Sequence, residues 1–239
     1  MGIKVDFHTH ILPGVDDGSK SVEQSLEMLM QEKQQGIEIV VLTPHFYAQG
    51  DNPQRFLSRR QQAYEKLLKW TGSLEGLPQL KLGAEVYYFN GISNWEGLCD
   101  LAIEGTDYVL VEMPFTKWTD RMYDELDGIY RKRGLVPIIA HIERYINIFT
   151  ANRVTKRLKE LNVMVQANAE FFIDSKTRKL ALKLLKNNDI NILGSDCHNL
   201  TDRAPNLSIA QKIVCSAIGE EYIEQVSLAE DEILSAVKL

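Results

Sequence analysis

The chain of 239 residues can bury the core of one large domain or two small ones, and its 44% hydrophobic and 25% charged residues are typical of a soluble globular protein. The net charge of −6 argues against general nucleic-acid binding and anionic-membrane binding, although it leaves room for a local basic pocket. No apolar run is long enough to cross a bilayer, and Asp6 and His8 come too early for the core of a signal peptide. The three cysteines lack a metal-binding CxxC spacing, so we expect a cytoplasmic protein without disulfides or membrane insertion.

Short β-rich runs alternate with helix-compatible stretches along the chain. The predicted strands are Ile3–Phe7, Ile37–Thr43, Leu80–Ala84, Tyr108–Val111, Val136–Ala140, Val163–Ala167 and Ile190–Gly194. The first predicted helix begins at a capping box, Ser21 to Gln24, and ends at Gly36. The other predicted helices cover residues 55–70, 117–133, 151–161, 175–187 and about 207–239.

This alternation predicts a parallel sheet covered by helices. Several strands are apolar on successive residues, as expected when both faces of a sheet are buried. Seven β/α repeats at this length favour an α/β fold with a closed or nearly closed barrel, in a single domain over residues 1–239 with a helical C-terminal segment. An open doubly wound sheet is the alternative.

Side chains that can bind metal follow most of the predicted strands. In chain order they are His8 and His10, His45, Glu85, Glu112, His141, and Asp196 with His198. The carboxyl ends of barrel strands share one face, so these residues should converge, and imidazoles mixed with carboxylates suit divalent cations. Any one of these residues alone is as well explained by an ordinary polar position at a strand end. The joint pattern favours a metal site, because all five histidines of the chain fall after an apolar run.

Two arginines are candidates for binding an anion at the same face. Arg144 lies three residues after His141, and Arg203 lies five residues after His198. Both could clamp phosphate oxygens in bidentate fashion. The alternative is that they are surface arginines paired with Glu143 or Asp202.

Cys197 and Arg203 formally match the C-x5-R signature of cysteine-dependent phosphatases. The residues between them include no glycine, whereas that signature needs a glycine-bearing loop whose backbone N–H groups bind the anion. Neighbouring carboxylates should also raise the pKa of the thiol instead of lowering it. We therefore expect Cys197 to fill space and not to act as a nucleophile.

With these residues in view, the chain resembles the polymerase-and-histidinol-phosphatase (PHP) superfamily of metal-dependent phosphoesterases. It is most similar to the bacterial branch of protein-tyrosine phosphatases encoded with capsule and exopolysaccharide genes. The segments that carry the resemblance are 6–18 (DFHTHILPGVDDG), 43–45 (TPH), 83–87 (GAEVY), 140–145 (AHIERY) and 195–199 (SDCHN). His-x-His marks the superfamily, and its continuation through Leu-Pro-Gly and Asp-Asp-Gly points to the branch.

The resemblance implies a distorted seven-stranded (β/α) barrel with three divalent metal ions, with Mn²⁺ expected first and Fe, Zn or Mg as alternatives. The implied ligand sets are His8, His10, Glu85 and Asp196 for one ion, Glu85, Glu112 and His141 for a second, and Asp17, His45 and His198 for a third. Asp17 is assigned only through the resemblance. Ile142 and Cys197 stand where the family often has Pro and Ala, and neither change removes a ligand.

The resemblance implies hydrolysis of phosphotyrosine on the tail of a bacterial tyrosine kinase that controls polysaccharide export. Our hypothesis is direct attack by metal-bound hydroxide, with Arg144 and Arg203 neutralising the phosphoryl oxygens. The nearest alternative is a small-molecule phosphatase of the histidinol-phosphatase type. A proofreading-type phosphodiesterase and a non-catalytic phosphopeptide-binding module are weaker ones. The oligomeric state is left open.

Overall fold

The computed structural model describes residues 2–72, 75–147 and 150–235 and consists of parallel strands alternating with helices. The strands are β1 (Val5–Thr9), β2 (Ile39–Leu42), β3 (His45–Phe46), β4 (Gln79–Leu82), β5 (Glu85–Tyr87), β6 (Tyr108–Glu112), β7 (Val136–Ile139), β8 (Met164–Asn168) and β9 (Ile192–Gly194). The helices are α1 (Val22–Gln34), α2 (Pro53–Thr71), α3 (Asp120–Arg133), α4 (Ala151–Leu158), α5 (Ala169–Ile173), α6 (Arg178–Lys186), α7 (Leu207–Ile218) and α8 (Glu221–Ser235). Short 3-10 helices cover Ile92–Asn94, Glu96–Leu101 and Ile142–Arg144. Within the described ranges, no helix is both long enough and apolar enough to span a membrane.

The strands form two parallel sheets, in the orders β1-β2-β4 and β3-β5-β6-β7-β8-β9. The described residues thus contain nine strands where the sequence predicts seven. The second predicted strand, Ile37–Thr43, corresponds to β2 alone, and β3 is an additional short strand beyond Thr43-Pro44, where proline has no N–H to continue the ladder. The third predicted strand, Leu80–Ala84, likewise corresponds to β4, and β5 is an additional strand that begins after Gly83-Ala84.

Threonine hydroxyl groups form hydrogen bonds with the backbone where the pairing of β1 with β2 shifts register. The N–H of Thr9 donates to Oγ1 of Thr43 (3.0 Å), and the Thr9 hydroxyl donates to the carbonyl of Val41 (2.8 Å). These bonds satisfy buried polar groups at the register shift between β1 and β2.

The sheet curls until its first and last strands lie side by side. The N–H of Asp196 donates to the carbonyl of His8 (2.8 Å), and the N–H of His10 donates to the carbonyl of Cys197 (2.9 Å). Below them, the buried Asp6 carboxylate accepts from the N–H groups of His8 and Ser195. The predicted α/β class and the curled parallel sheet are confirmed, whereas the full seven-stranded barrel stays a prediction.

Most predicted helices lie close to their predicted positions. Ser21 caps α1 by accepting the N–H of Gln24, whose side chain reaches back to the N–H of Lys20. Gly36 adopts the predicted left-handed conformation, with φ of 85°. The predicted C-terminal helix is divided into α7 and α8, and residues 236–239 of that prediction lie outside the described residues.

Helix α8 covers the end of the sheet where the strands begin. Its Ile233 packs with apolar side chains inside the curl, among them Phe7 and Leu110. Its Glu230 accepts the N–H of Lys4, one residue before β1. The opposite end of the sheet, where the strands finish, is left free for a site.

Candidate metal centre

The structure gathers all nine predicted ligands at the carboxyl end of the curled sheet. They lie in or just after the strands, except Asp17, which lies in the loop before α1: His8, His10, Asp17, His45, Glu85, Glu112, His141, Asp196 and His198. Chain segments separated by up to 190 positions contribute side chains, from His8 to His198.

The first group lies around the imidazoles of His8 and His10. Their Nε2 atoms are 3.1 Å apart, and Oε2 of Glu85 lies 3.1 Å from His8 and 3.3 Å from His10. Oδ1 of Asp196 is 3.5 Å from His8 Nε2 and 3.4 Å from His10 Nε2. This arrangement matches the first ligand set that the resemblance implies.

Glu85 also faces a second group. Its Oε1 lies 2.7 Å from Nε2 of His141, which is itself 3.7 Å from Oε1 of Glu112. His45 joins this group as well, since its Nδ1 lies 2.9 Å from Oε2 of Glu85 and 3.9 Å from Oε2 of Glu112. A central carboxylate that faces ligands on two sides is what a bridging role requires.

The third group forms at the rim. Oδ1 of Asp17 lies 3.6 Å from Nε2 of His45 and 3.5 Å from Nε2 of His198. Ligand atoms of His10, Asp17, His45 and His198 all fall within 4.8 Å of one another. His10 is thus within reach of this group as well as of the first, whereas the resemblance places it only in the first.

The chemistry of the inward-facing atoms fits divalent cations. Four buried ligand atoms have no hydrogen-bond partner among the described residues: Nδ1 of His45, Oε2 of Glu85, Oε2 of Glu112 and Nε2 of His198. Nδ1 of His45 is close to Glu85 but not aligned for a hydrogen bond. Buried polar atoms left unpaired are costly, and cations would satisfy all four at once.

Two side chains that the sequence analysis did not select hold the ligands in place. Oδ2 of Asp16 lies 2.7 Å from Nδ1 of His10 and accepts the N–H of His45. Oε1 of Gln166 lies 3.3 Å from Nδ1 of His8 and accepts the N–H of His141 at 2.7 Å. Such outer contacts orient metal-binding imidazoles.

Asn168 continues this network to Asp196, because its side-chain amide donates to Oδ2 of that carboxylate (2.9 Å). Gln166 and Asn168 both lie on β8, the one predicted strand to which no ligand was assigned. Two amides at alternate positions of a buried strand are the sequence feature from which these two residues could have been predicted. The hydroxyl of Tyr145 similarly lies 3.1 Å from Nδ1 of His141.

Burial and neighbouring charges shift the pKa values of the carboxyl groups in opposite directions. Burial and the charge of Glu85 raise the pKa of Glu112 to about 7. For Glu85 itself, burial is outweighed by His8 and the other surrounding imidazoles, which hold its pKa well below its ordinary value. Burial is likewise outweighed at Asp16, whose bond to His10 lowers its pKa.

Arg144 and Arg203 converge on one atom, as expected if they act together. Their Nη2 atoms lie 2.6 Å and 2.8 Å from Oδ2 of Asp196. The alternative, surface pairs with Glu143 or Asp202, is absent among the described ion pairs. Both guanidinium groups keep about a third of their side-chain surface exposed, at 33% and 36%. They can therefore meet an incoming anion.

Two candidate ligands occupy strained backbone positions. His141 has φ of 33° and Asp196 has φ of 54°, a region that residues with a side chain seldom adopt. Such conformations persist where the surrounding structure holds them and often mark functional sites.

Cys197 is fully buried and lies in the chain between two candidate ligands, Asp196 and His198. Its thiol lies 3.9 Å from Oε1 of Glu32. Burial, together with the charges of Glu32 and Asp6, raises the pKa of the thiol well above its ordinary value. A protonated and inaccessible thiol supports the interpretation that Cys197 is not a nucleophile.

Comparison with known proteins identifies related chains. The family model described as "Capsular polysaccharide synthesis, CpsB/CapC" matches residues 4–234. The tyrosine-protein phosphatase CpsB of Streptococcus agalactiae serotype III is 28% identical over 237 residues, covering 93% of this chain and 94% of that protein. The tyrosine-protein phosphatase YwqE of Bacillus subtilis is 27% identical over 225 residues, covering 91% and 86%.

A solved structure has the same fold along almost the whole chain. It comes from work on YwqE of Bacillus subtilis and CpsB of Streptococcus pneumoniae, described as unique metal-dependent tyrosine phosphatases. Its TM-score is 0.83 at 23% identity, covering 98% of this chain and 96% of that one. The chain belongs to the CpsB/CapC family of capsular polysaccharide synthesis proteins.

Proposed function

We propose that this protein is a metal-dependent protein-tyrosine phosphatase that acts in capsular or exopolysaccharide synthesis. The observation that carries this function is the convergence of nine metal-binding side chains with two arginines that meet at Asp196. The names of the related CpsB and YwqE proteins support tyrosine phosphatase activity for the family. The proposed substrate is phosphotyrosine on the tail of a bacterial tyrosine kinase, and the proposed location is the cytoplasm.

We propose three cation positions, held by the three groups described above, with Glu85 between two of them. Bound divalent cations would supply Lewis acidity, which acidifies water and neutralises charge on phosphoryl oxygens. Mn²⁺ is the cation we expect, since mixed nitrogen and oxygen ligands suit it, and Fe, Zn and Mg are alternatives. The two strand breaks leave seven strand positions around the curl, so we also propose that β2-β3 and β4-β5 each act as one barrel strand.

Individual side chains can be assigned to parts of the proposed reaction. Arg144 and Arg203 would bind phosphoryl oxygens and neutralise the charge that builds up during transfer. A phosphate arriving there would compete with Asp196 for the guanidinium groups and free Asp196 Oδ2. Asp16, Gln166 and Asn168 would keep His10, His8 and Asp196 in position. A phenolate leaving group needs little proton donation, so no dedicated acid is assigned.

Two variants test this function against a cysteine-dependent mechanism. We expect His8→Ala to lose bound metal and phosphotyrosine hydrolysis together, because it removes the imidazole that faces both Glu85 and Asp196. We expect Cys197→Ser to keep most of its activity, because the thiol is buried and protonated. Metal analysis and turnover of a phosphotyrosine peptide would be measured on both variants.

The opposite result would overturn the mechanism: an inactive Cys197→Ser enzyme together with a wild-type enzyme that chelators do not inhibit. Substrate class is tested separately by comparing the phosphotyrosine peptide with histidinol phosphate. Faster turnover of histidinol phosphate would favour the small-molecule alternative.

A further inference from the structure

A groove of about 330 Å³ runs away from the metal centre on one side of Arg144. Its walls are the loop that follows β6, the loop that follows β7, and the start of α4. We call it the cationic groove and define it by Phe115–Trp118, Tyr123, Arg144, Tyr145 and Arg153–Val154. It is continuous with the centre, because Arg144 contacts Asp196 and Tyr145 contacts His141.

Aromatic rings form the floor of the cationic groove. The ring of Tyr145 lies 5.8 Å from that of Phe115 and 5.1 Å from that of Trp118, which is 5.6 Å from Tyr123. Trp118 is fixed by a bond from its indole N–H to the carbonyl of Pro114. Phe115 is 60% exposed, which is unusual for a large apolar side chain and leaves a surface on which a peptide can pack.

The charge of the cationic groove has one sign. Lys117, Arg144 and Arg153 line it, and no Asp or Glu is among its lining residues. Lys117 and Arg153 are exposed and form no ion pair with any described carboxylate. Arg157, just beyond, differs because Asp120 neutralises it. Three cationic side chains thus line the groove of a protein whose net charge is −6, and two of them, Lys117 and Arg153, have no ion-pair partner among the described residues.

The surface on the opposite side of Arg144 is mainly acidic. A cavity of about 280 Å³ lies there, and the acidic residues that line it are Glu143, Glu170, Asp174, Asp196 and Asp202. Arg144 and Arg203 are the only cations among the described residues that line it. An acidic segment of a bound peptide would therefore be repelled from this cavity and attracted into the cationic groove.

Building on the proposed function, we propose that the cationic groove binds acidic residues next to the phosphotyrosine of the substrate. Lys117 and Arg153 are the specificity-determining residues, and Phe115 packs against the peptide. The phosphate is held by Arg144 and Arg203 while the flanking carboxylates lie over the groove. This arrangement makes the enzyme select a phosphotyrosine by its neighbours as well as by its phosphate.

Three phosphotyrosine peptides that differ only in the flanking residues (Glu, Gln or Lys) test the assignment through kcat/KM. The proteins are wild type, the double variant Lys117→Gln/Arg153→Gln, the reversal Arg153→Glu and the control Lys156→Gln. Lys156 is an exposed cation on α4 that does not line the groove. Turnover of p-nitrophenyl phosphate, which has no flanking residues, reports on the metal centre alone.

We expect wild type to favour the Glu peptide over the Gln peptide by about tenfold, as two exposed charge contacts can supply. The double variant should bring this ratio close to one, and Arg153→Glu should shift the preference toward the Lys peptide. Lys156→Gln should behave as wild type, and p-nitrophenyl phosphate turnover should stay constant. Equal wild-type turnover of the Glu and Gln peptides, or a double variant that keeps the preference, would overturn the inference. Failure of wild type to hydrolyse any of the three peptides would instead overturn the proposed function.

Discussion

Asp16 and Asp17 are neighbours in the chain but serve different parts of the site. Asp16 is largely buried and bonds to His10, Gly18 and His45, whereas the side chain of Asp17 is 66% exposed and faces His45 and His198. Gly18 makes this turn possible, because a Cβ there would lie 2.2 Å from the carbonyl oxygen of His10. One turn thus supplies both a proposed ligand and the group that orients another ligand.

Asp16→Asn should weaken metal binding without removing a ligand. The change keeps a hydrogen-bonding side chain but removes the charge that fixes the His10 ring, and loss of such outer contacts typically costs about 10- to 100-fold in affinity. Metal titration would measure the affinity, and excess metal should restore activity. Asp124→Asn, an exposed carboxylate on α3, is the control. Unchanged affinity in Asp16→Asn would show that Asp16 does not act through His10.

At the scale of the element, α8 places an acidic side chain where water is excluded. Glu230 is 1% exposed and accepts the N–H of Lys4, and its Oε1 has no partner among the described residues. Burial raises the pKa of this carboxyl from 4.5 to about 8. The folded protein therefore binds this proton more tightly than the unfolded chain.

This raised pKa gives the stability a definite pH dependence. The contribution of Glu230 is fully present below about pH 4.5 and is lost as the pH rises through about 8, because the buried carboxyl must then ionise. Glu230→Gln, which cannot ionise, should unfold at higher urea concentration than wild type at pH 9. The expected gain in free energy of unfolding is on the order of a few kcal/mol. The difference should shrink at pH 5.

Urea unfolding of wild type and Glu230→Gln at both pH values provides the measurement. Glu224→Gln, an exposed change on the same helix, should show no such dependence. A Glu230→Gln variant that gains nothing at pH 9 would show that the carboxyl is not buried in the folded protein as described.

At the scale of the whole molecule, metal binding should stabilise the fold. The proposed ligands come from β1, β3, β5 and β6 and from the segments that follow β1, β7 and β9, so cations would connect most of the sheet. A cation at about 100 times its dissociation constant would add about 2.7 kcal/mol. A chelator should therefore lower Tm, and re-addition of Mn²⁺ should restore it.

Comparing Mn²⁺, Fe²⁺, Zn²⁺ and Mg²⁺ in the same thermal assay would rank the candidate metals. His8→Ala serves as the control and should respond much less. A wild-type Tm that is independent of both chelator and added metal, at concentrations where metal analysis shows loading and removal, would contradict this role.

The sequence predicted the residue types of the site better than the details of the sheet. All five histidines could be placed because each follows an apolar run, and strand ends meet at one face. The breaks at Pro44 and at Gly83-Ala84 could not be read from hydrophobicity, since an apolar pattern does not report hydrogen-bond register. Gln166 was overlooked because the prediction was built on imidazoles and carboxylates, although the position of a neutral amide on a buried strand carries information.

The pairing of β1 with β9 has a consequence for the order in which the protein can mature. His8 and His10 are translated about 190 residues before their partners Asp196 and His198. The first proposed cation site therefore cannot be completed during synthesis of the first 195 residues. Cofactor loading would thus mark chains whose translation has passed His198, and a nascent or prematurely terminated product would lack phosphatase activity.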